Sequence, residues 1–270
     1  MFDFKDRVAV ITGGASGIGL GLATRLASEG MKIVIADIET SALEKASESL
    51  RASGAEVLGI QCDVSDKAQV EALAITAYEH FGNVHFLANN AGVVSRHKAW
   101  EGPEDWDWVL GIDLMGVIYG VQSFVPRMLA SGEPGHILNT ASTAGLLAFP
   151  GIASYNVAKR GVVALSETLH HEFTKSALSV SVLCPGIVDT NIGTSERNRE
   201  GIDYKPEPDK FLPSDGKENL TPDEVADIVV DEVREGVFWI LPHKHYGEQA
   251  LEQATRRISG GTPVMPHIHR

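Results

Sequence analysis

The chain carries little sulfur, few cations and no long apolar run, and each shortage removes a class of protein. Two cysteines, Cys62 and Cys184, offer neither a disulfide framework nor a zinc set. Each follows a short apolar run and reads as a buried free thiol. Lys and Arg number 23 against 36 Asp and Glu, a net charge of -13 at pH 7. That balance argues against a nucleic-acid or anionic-membrane surface, though it leaves room for a small basic pocket. No apolar run approaches the ~20 residues of a membrane span. The stretch Met1-Phe2-Asp3-Phe4-Lys5-Asp6-Arg7 lacks the apolar core of a secretion signal. A cytoplasmic, reducing setting is the expectation, with neither nucleic acid nor membrane as partner. His243 and His245 are close in sequence, as are His267 and His269. No carboxylate or cysteine pattern completes a ligand set, so surface polar residues and no metal are expected.

What is present suits a globular chain with a substantial core: 270 residues, 43% hydrophobic and 22% charged. Val8–Ile11 is a short β-branched run. Thr12-Gly13-Gly14-Ala15-Ser16-Gly17-Ile18-Gly19 follows, and then a helical pattern from Leu20 to Ser28. Strand, glycine loop and helix are the setting of a phosphate-cradling turn, since glycine lets backbone approach a pyrophosphate at a helix N-terminus. A second strand, Lys32–Ala36, ends at Asp37, near the spacing for a carboxylate that accepts from a ribose hydroxyl. A tight turn alone would also explain the glycines, but not the acid at the next strand end.

The unit repeats. A helix from about Ser41 to Arg51 leads to a strand at Glu56–Gln61, ending in Cys62-Asp63-Val64. A helix from about Asp66 to His80 leads to Val84–Ala88, closed by Asn89-Asn90-Ala91-Gly92. Pro103 opens a long helical region to about Ala130, which Pro126 should kink or end. Strand Gly135–Asn139 precedes Ser142. Ser154 is a candidate N-cap for the next helix. Strand Leu178–Leu183 ends in Cys184-Pro185-Gly186-Ile187-Val188-Asp189-Thr190. Thr221-Pro222-Asp223-Glu224 reads as a capping box for a helix to about Arg234. Val237–Leu241 is a last strand, and Glu248 to Ile258 a last helix. The alternation predicts an α/β fold: a Rossmann-like, doubly wound parallel sheet of about seven strands in a three-layer sandwich. One domain over residues 1–270 is expected. A proline-broken substrate lid falls at about 191–220, and a C-terminal extension at about 242–270.

Tyr155 and Lys159 stand one helical turn apart and leave the same face. A phenol with a pKa of about 10 is a poor base at neutral pH, and a fixed ammonium beside it favours the phenolate.

These ordered motifs resemble the classical short-chain dehydrogenase/reductase family over roughly Lys5 to Leu241. Gly13, Ser16, Gly17, Ile18 and Gly19 resemble its cofactor loop, Asp63-Val64 its adenine contact, and Asn90-Ala91-Gly92 its central-strand motif. Pro185, Gly186, Val188 and Thr190 resemble the segment that holds the nicotinamide carboxamide. Ser142, Tyr155 and Lys159 resemble the catalytic residues. The resemblance implies hydride transfer between NAD and a secondary alcohol or ketone. Tyr155 would be general acid/base, Ser142 would hold the substrate oxygen, and Lys159 would bind ribose and lower the Tyr155 pKa. The family commonly forms a homotetramer or homodimer through its two long helices. One position departs from the pattern. Asp113 stands where the family usually has Asn, in a water relay behind the lysine. The expectation is an altered relay, with Asp113→Asn active but shifted in its pH profile.

NAD is favoured over NADP, because Asp37 would repel a 2′-phosphate and no Arg or Lys stands at Ala15, Ser16 or Ile38. Val94, Leu146 and Phe149, with Ser142, Tyr155 and Gly186, outline a pocket for a bulky apolar, aromatic or alicyclic, molecule. The rival readings are a catalytically silent NAD-binding scaffold, an NADP-dependent ketoreductase, and an epimerase or dehydratase. The last group usually carries a different glycine spacing.

Overall fold

The computed structural model describes residues 2–199, 201 and 219–267. Seven apolar segments become strands: β1 Val8–Thr12, β2 Lys32–Asp37, β3 Val57–Gln61, β4 Phe86–Asn89, β5 Gly135–Thr140, β6 Leu178–Leu183 and β7 Trp239–Ile240. They form one sheet in the order β3-β2-β1-β4-β5-β6-β7. Every pairing is parallel. β1, β4 and β5 are buried along their whole length, as central strands covered on both faces must be.

Alternate residues of β1 serve opposite cores. Ala9 and Ile11 pack with Leu22 and Leu26 of α1 (Gly17–Ser28) and with Val225 and Val229 of α7 (Pro222–Arg234). Val8 and Val10 pack with Leu73 of α3 (Lys67–Phe81) and with Phe124 and Met128 of α5 (Gly116–Ser131). α2 spans Thr40–Ala52, α4 Pro103–Leu110, α6 Ala153–Glu172 and α8 Lys244–Ile258. The layers are those of the expected Rossmann-like sandwich. The chain leaves β1 for β2 and β3 on one side, then returns to β4 on the other. That reversal opens a crevice at the carboxyl ends of β1 and β4, where such sheets hold their ligands.

Several local expectations are corrected. Pro126 neither ends nor displaces the end of α5, which runs on to Ser131. Pro126 and Gln122 both lie on the exposed side, where water can meet the carbonyl that proline leaves without a donor. The irregularity falls earlier, in a π-turn at Gly111–Met115 that joins α4 to α5 and carries Asp113. Ser154 is not the N-cap of α6, since Ile152 precedes the first helical residue. Ser154 is buried instead, its hydroxyl 2.8 Å from His97 Nε2. β7 is shorter than expected and α8 begins four residues earlier, at Lys244. The capping box of α7 is as read: Thr221 Oγ1 accepts from the Glu224 N–H, and Glu224 accepts from the Thr221 N–H.

The helical run Pro103–Ser131, 29 residues long, has the length and apolarity of a membrane span. Val109, Val117, Phe124, Val125 and Met128 are buried inside the fold, and the run packs against α3 and α6. Of the expected lid, Asn191–Asn198 forms a 3-10 helix, while residues 200 and 202–218 lie outside the described residues. After α8 the chain turns back along it. The Gln249 side chain donates to the His267 carbonyl at 3.0 Å and accepts from its N–H at 2.8 Å.

Candidate active site

A cleft of about 650 Å³ lies over the carboxyl ends of the central strands. Its floor at one end is the glycine loop. Gly13 and Gly17 take φ of +62° and +52°, which side chains other than glycine resist. A Cβ on Gly13 would stand 2.9 Å from Ala91 Cα, so the loop sits directly on the turn after β4. Thr12 Oγ1 fastens the two by accepting from the N–H groups of Asn90 (2.9 Å) and Ala91 (3.1 Å). Gly13, Ser16, Gly17 and Ile18 line the cleft. Gly19 does not line it. A Cβ there would fall 2.0 Å from the Gly13 carbonyl oxygen, so its part is to let α1 start against the loop.

Asp37 lines the same end. Its carboxylate accepts from the N–H of Ala15 and of Glu39, both at 3.1 Å. Burial pushes its pKa up, against the pull of those two amides. Asp63, Val64, Asn90, Ala91 and Gly92 continue the wall. One cation here escaped the sequence reading. Arg197 also lines the cleft, 2.5 Å from the Glu39 carboxylate, and Asn198 donates to the same oxygen at 2.9 Å.

The middle of the cleft collects the three residues of the resemblance. Ser142 stands at the end of β5, while Tyr155 and Lys159 come from one face of α6. The Ser142 hydroxyl pulls the Tyr155 pKa down, while it accepts from the Ala144 N–H at 3.1 Å and donates, loosely, to the Pro185 carbonyl at 3.5 Å. The Lys159 ammonium lies 5.4 Å from the Tyr155 ring centre and donates to the Thr140 carbonyl at 3.1 Å. Behind it, Asp113 Oδ2 is 3.1 Å from Lys159 Nζ. Asp113 Oδ1 accepts from the Val93 N–H at 2.8 Å. Gly92 makes room for the pair, because a Cβ there would be 3.3 Å from both charged groups.

The electrostatic balance differs from the expectation. Burial raises the Tyr155 pKa. Lys159 and the Ser142 hydroxyl pull it down, Asp113 pushes it up again, and the net direction is upward from the ordinary phenol value. Burial opposes charge on Lys159, but Asp113 and Tyr155 outweigh it and hold the ammonium above the usual lysine value. The lysine is therefore a cation whose field is largely spent on its own carboxylate.

Pro185, Gly186, Val188 and Thr190 line one side, with Thr190 against the glycine loop, where a Cβ on Gly17 would stand 3.0 Å from its Cγ2. At the far end Val94, Phe149, Ile152, Ile192 and Tyr246 give the cleft an apolar wall. Phe149 meets Tyr246 edge-on, ring centres 6.3 Å apart. Leu146 is a correction. It is not part of the lining but packs among Val163, Leu147 and their neighbours, its carbonyl accepting from Arg160 at 2.8 Å. The short helical turn Thr143–Gly145 carries it away from the cleft. His243 is a second correction: it is buried, not a surface residue. Tyr246, His243 and Arg197 carried no motif in the sequence.

A doubly wound parallel sheet, a glycine loop under its switch point and a Tyr-Lys pair in the cleft above it define a Rossmann-type oxidoreductase. The chain belongs to the short-chain dehydrogenase/reductase family, whose "short chain dehydrogenase" profile matches residues 7–201. A CLA biosynthesis dehydrogenase/reductase of Lactiplantibacillus plantarum is 34% identical over 97% of each chain. The 1-deoxy-11-beta-hydroxypentalenate dehydrogenase of Streptomyces exfoliatus is 38% identical over 69% of each. The crystal structure of a short-chain dehydrogenase/reductase from Burkholderia phymatum in complex with NAD superposes with a TM-score of 0.92. That protein is 40% identical, and 100% of each chain is covered. The protein is an oxidoreductase that acts on CH–OH groups and takes NAD(P).

Proposed function

We propose that the protein interconverts a secondary alcohol and its ketone with NAD, on a bulky apolar substrate. The observation that carries this reading is the convergence of Ser142, Tyr155 and Lys159 midway between a glycine-loop end and an apolar end of one cleft. The residues present fit the cofactor. The loop has space only glycine leaves, α1 begins at it with Gly17 and Ile18 in the lining, and Asp37 offers a carboxylate at the end of β2. When bound, the nicotinamide accepts or supplies a hydride.

The chain supplies binding, orientation and the proton. Gly13, Ser16, Gly17 and Ile18 would cradle the pyrophosphate, and Asp37 would accept from the adenosine ribose. Asp63 and Val64 would flank the adenine. Asn90, Ala91 and Gly92 would lie under the middle of the cofactor. Pro185, Gly186, Val188 and Thr190 would hold the carboxamide, and Lys159 the nicotinamide ribose. In reduction Tyr155 gives its phenolic proton to the substrate oxygen as the hydride reaches carbon. In oxidation the phenolate takes that proton back. Ser142 donates to the same oxygen. Asp113 acts through Lys159 and touches none of the reacting atoms.

NAD is favoured because the carboxylate of Asp37 faces the place of a 2′-phosphate. The nearby Arg197 is held by Glu39. The bound NAD of the Burkholderia structure points the same way. The apolar far wall favours a hydrophobic alcohol, and the Streptomyces relative is named for a hydroxylated pentalenate. Assembly through α5 and α6 into a homotetramer or homodimer, in the cytoplasm, completes the reading.

The experiment is a panel of apolar secondary alcohols and ketones followed by NADH absorbance, with NAD and NADP compared. Turnover with an NAD preference is expected. Tyr155→Phe should keep NAD binding and lose turnover by 10²-fold or more, the scale of general acid/base catalysis. A Tyr155→Phe protein that turns over normally would remove Tyr155 from its role.

A further inference from the structure

One part of the chain plays no role in this proton transfer: the end of the last strand with the start of the C-terminal extension that follows it. In the fold, β7 ends at Ile240, Pro242 turns the chain, and His243 and Tyr246 come to rest against the segment after β6. His243 is only 7% exposed. Its Nδ1 accepts from the Gly186 N–H at 3.0 Å, and its Nε2 donates to the Ile187 carbonyl at 3.0 Å. Both bonds together require the neutral ring with its proton on Nε2. A Cβ on Gly186 would stand 3.0 Å from His243 Cγ and 2.7 Å from Tyr246 Cε2. Two rings thus lie flush on this backbone, and only glycine fits beneath them.

The same segment is fastened on its other side. The Pro185 carbonyl accepts from the Thr143 N–H at 2.9 Å and, more loosely, from the Ser142 hydroxyl at 3.5 Å. One continuous set of contacts therefore runs from the start of α8, through Gly186 and Ile187, to Ser142. Gly186, Ile187, Ser142 and Tyr246 all line the cleft.

We propose that His243 is a positioning residue for the reaction, holding Gly186–Ile187 at the height where the nicotinamide end of the cofactor meets Ser142 and Tyr155. Tyr246, beside it, closes the substrate end. This rests on the dehydrogenase reading above. Its physical basis is that hydride transfer depends steeply on placement, and that two backbone groups of this part-buried segment are held by one buried ring.

The test uses two variants and two ligands. His243→Phe keeps a ring and removes both bonds, whereas His243→Asn keeps an acceptor for the Gly186 N–H. Each full-length protein is titrated with NADH and with ADP-ribose, which is the cofactor without its nicotinamide. Turnover and thermal unfolding are measured alongside. ADP-ribose binding by His243→Phe should stay within about twofold of the unaltered protein. NADH binding should weaken about tenfold, as loss of two modest hydrogen bonds implies. Its kcat should fall by about tenfold or more, with His243→Asn between the two. Equal weakening of both ligands would mean general loosening and would overturn the proposal. So would unchanged NADH binding and kcat. Should His243→Phe not fold, His243→Asn read with the same ligand pair decides alone. An unaltered protein that binds neither ligand overturns the NAD reading and this inference with it, a pattern visible before any variant is made.

Discussion

The carboxylate of Asp113 lies 3.1 Å from the ammonium of Lys159, and neither side chain is more than 3% exposed. Removed from water, the two charges are screened weakly and answer chiefly to each other. Tyr155 stands next to this pair and feels a cation and an anion rather than a cation alone. The other titratable group facing it is Cys184, whose thiol burial pushes up to about 12, leaving it neutral.

The first prediction concerns pH. With Tyr155 as the proposed general base, alcohol oxidation would need its phenolate, and the rate should rise with pH toward the raised pKa of this phenol. Asp113→Asn removes the anion and frees the field of Lys159, which lowers the Tyr155 pKa. The oxidation profile should move to lower pH. Ketone reduction, which needs the protonated phenol, should lose activity at the alkaline end. The checks are kcat/KM profiles in both directions and the ultraviolet titration of tyrosinate, with Tyr155→Phe as reference. An unmoved profile would show that Asp113 carries no charge that Tyr155 can sense.

Cofactor choice gives the second. Asp37→Asn should cost affinity for NAD and ease the repulsion of NADP. Glu39→Gln should release Arg197 beside the same site and add attraction for a 2′-phosphate. The pair is partly exposed, so its release alone is worth up to about 1 kcal/mol, several-fold in affinity. The ratio of kcat/KM for NADP over NAD should rise in each variant and most in the double variant. A ratio that stays flat in the double variant would take Asp37 out of cofactor selection.

The third concerns acid stability. His136 is 1% exposed, and burial lowers its pKa to about 3. Its Nδ1 meets the Ser179 hydroxyl at 2.8 Å, and its ring stacks on Phe86. The folded state therefore keeps this imidazole neutral where the unfolded chain binds a proton. Above pH 6.5 it makes no difference. As pH falls from 6.5 toward 3, the unfolded state gains about 1.4 kcal/mol per pH unit from this group. His136→Phe should remove that slope. Urea unfolding at pH 7 and pH 4.5 would show it, because the loss between the two should be about 2.7 kcal/mol smaller in the variant.

The sheet and the glycine loop were legible because their signals are local. A β-branched run, a glycine turn and an amphipathic helix each announce themselves within a dozen residues, and their alternation dictates a parallel sheet. The Tyr155-Lys159 pair was legible for the same reason, being one helical turn. What was not legible depends on contacts between distant residues. Arg197 reaches Glu39 across 158 positions, and His243 reaches Gly186 across 57. Asp113 was visible as a departure, but the sign of its effect was not. That sign depends on its full burial against Lys159, which no spacing encodes. Pro126 does not end α5, because its cost depends on which side of the helix faces water.

The wall around Tyr246 has one more consequence. In the proposed reading the adenosine and pyrophosphate end of the groove is built mainly from the first half of the chain, from Gly13 to Gly92. The apolar wall at its far end draws on Ile192 and Tyr246 in the second half. Inheritance can therefore alter one without rewriting the other. A lineage, or a directed-evolution library confined to Ile192, Tyr246 and their neighbours, can explore new alcohols while the electron carrier stays the same.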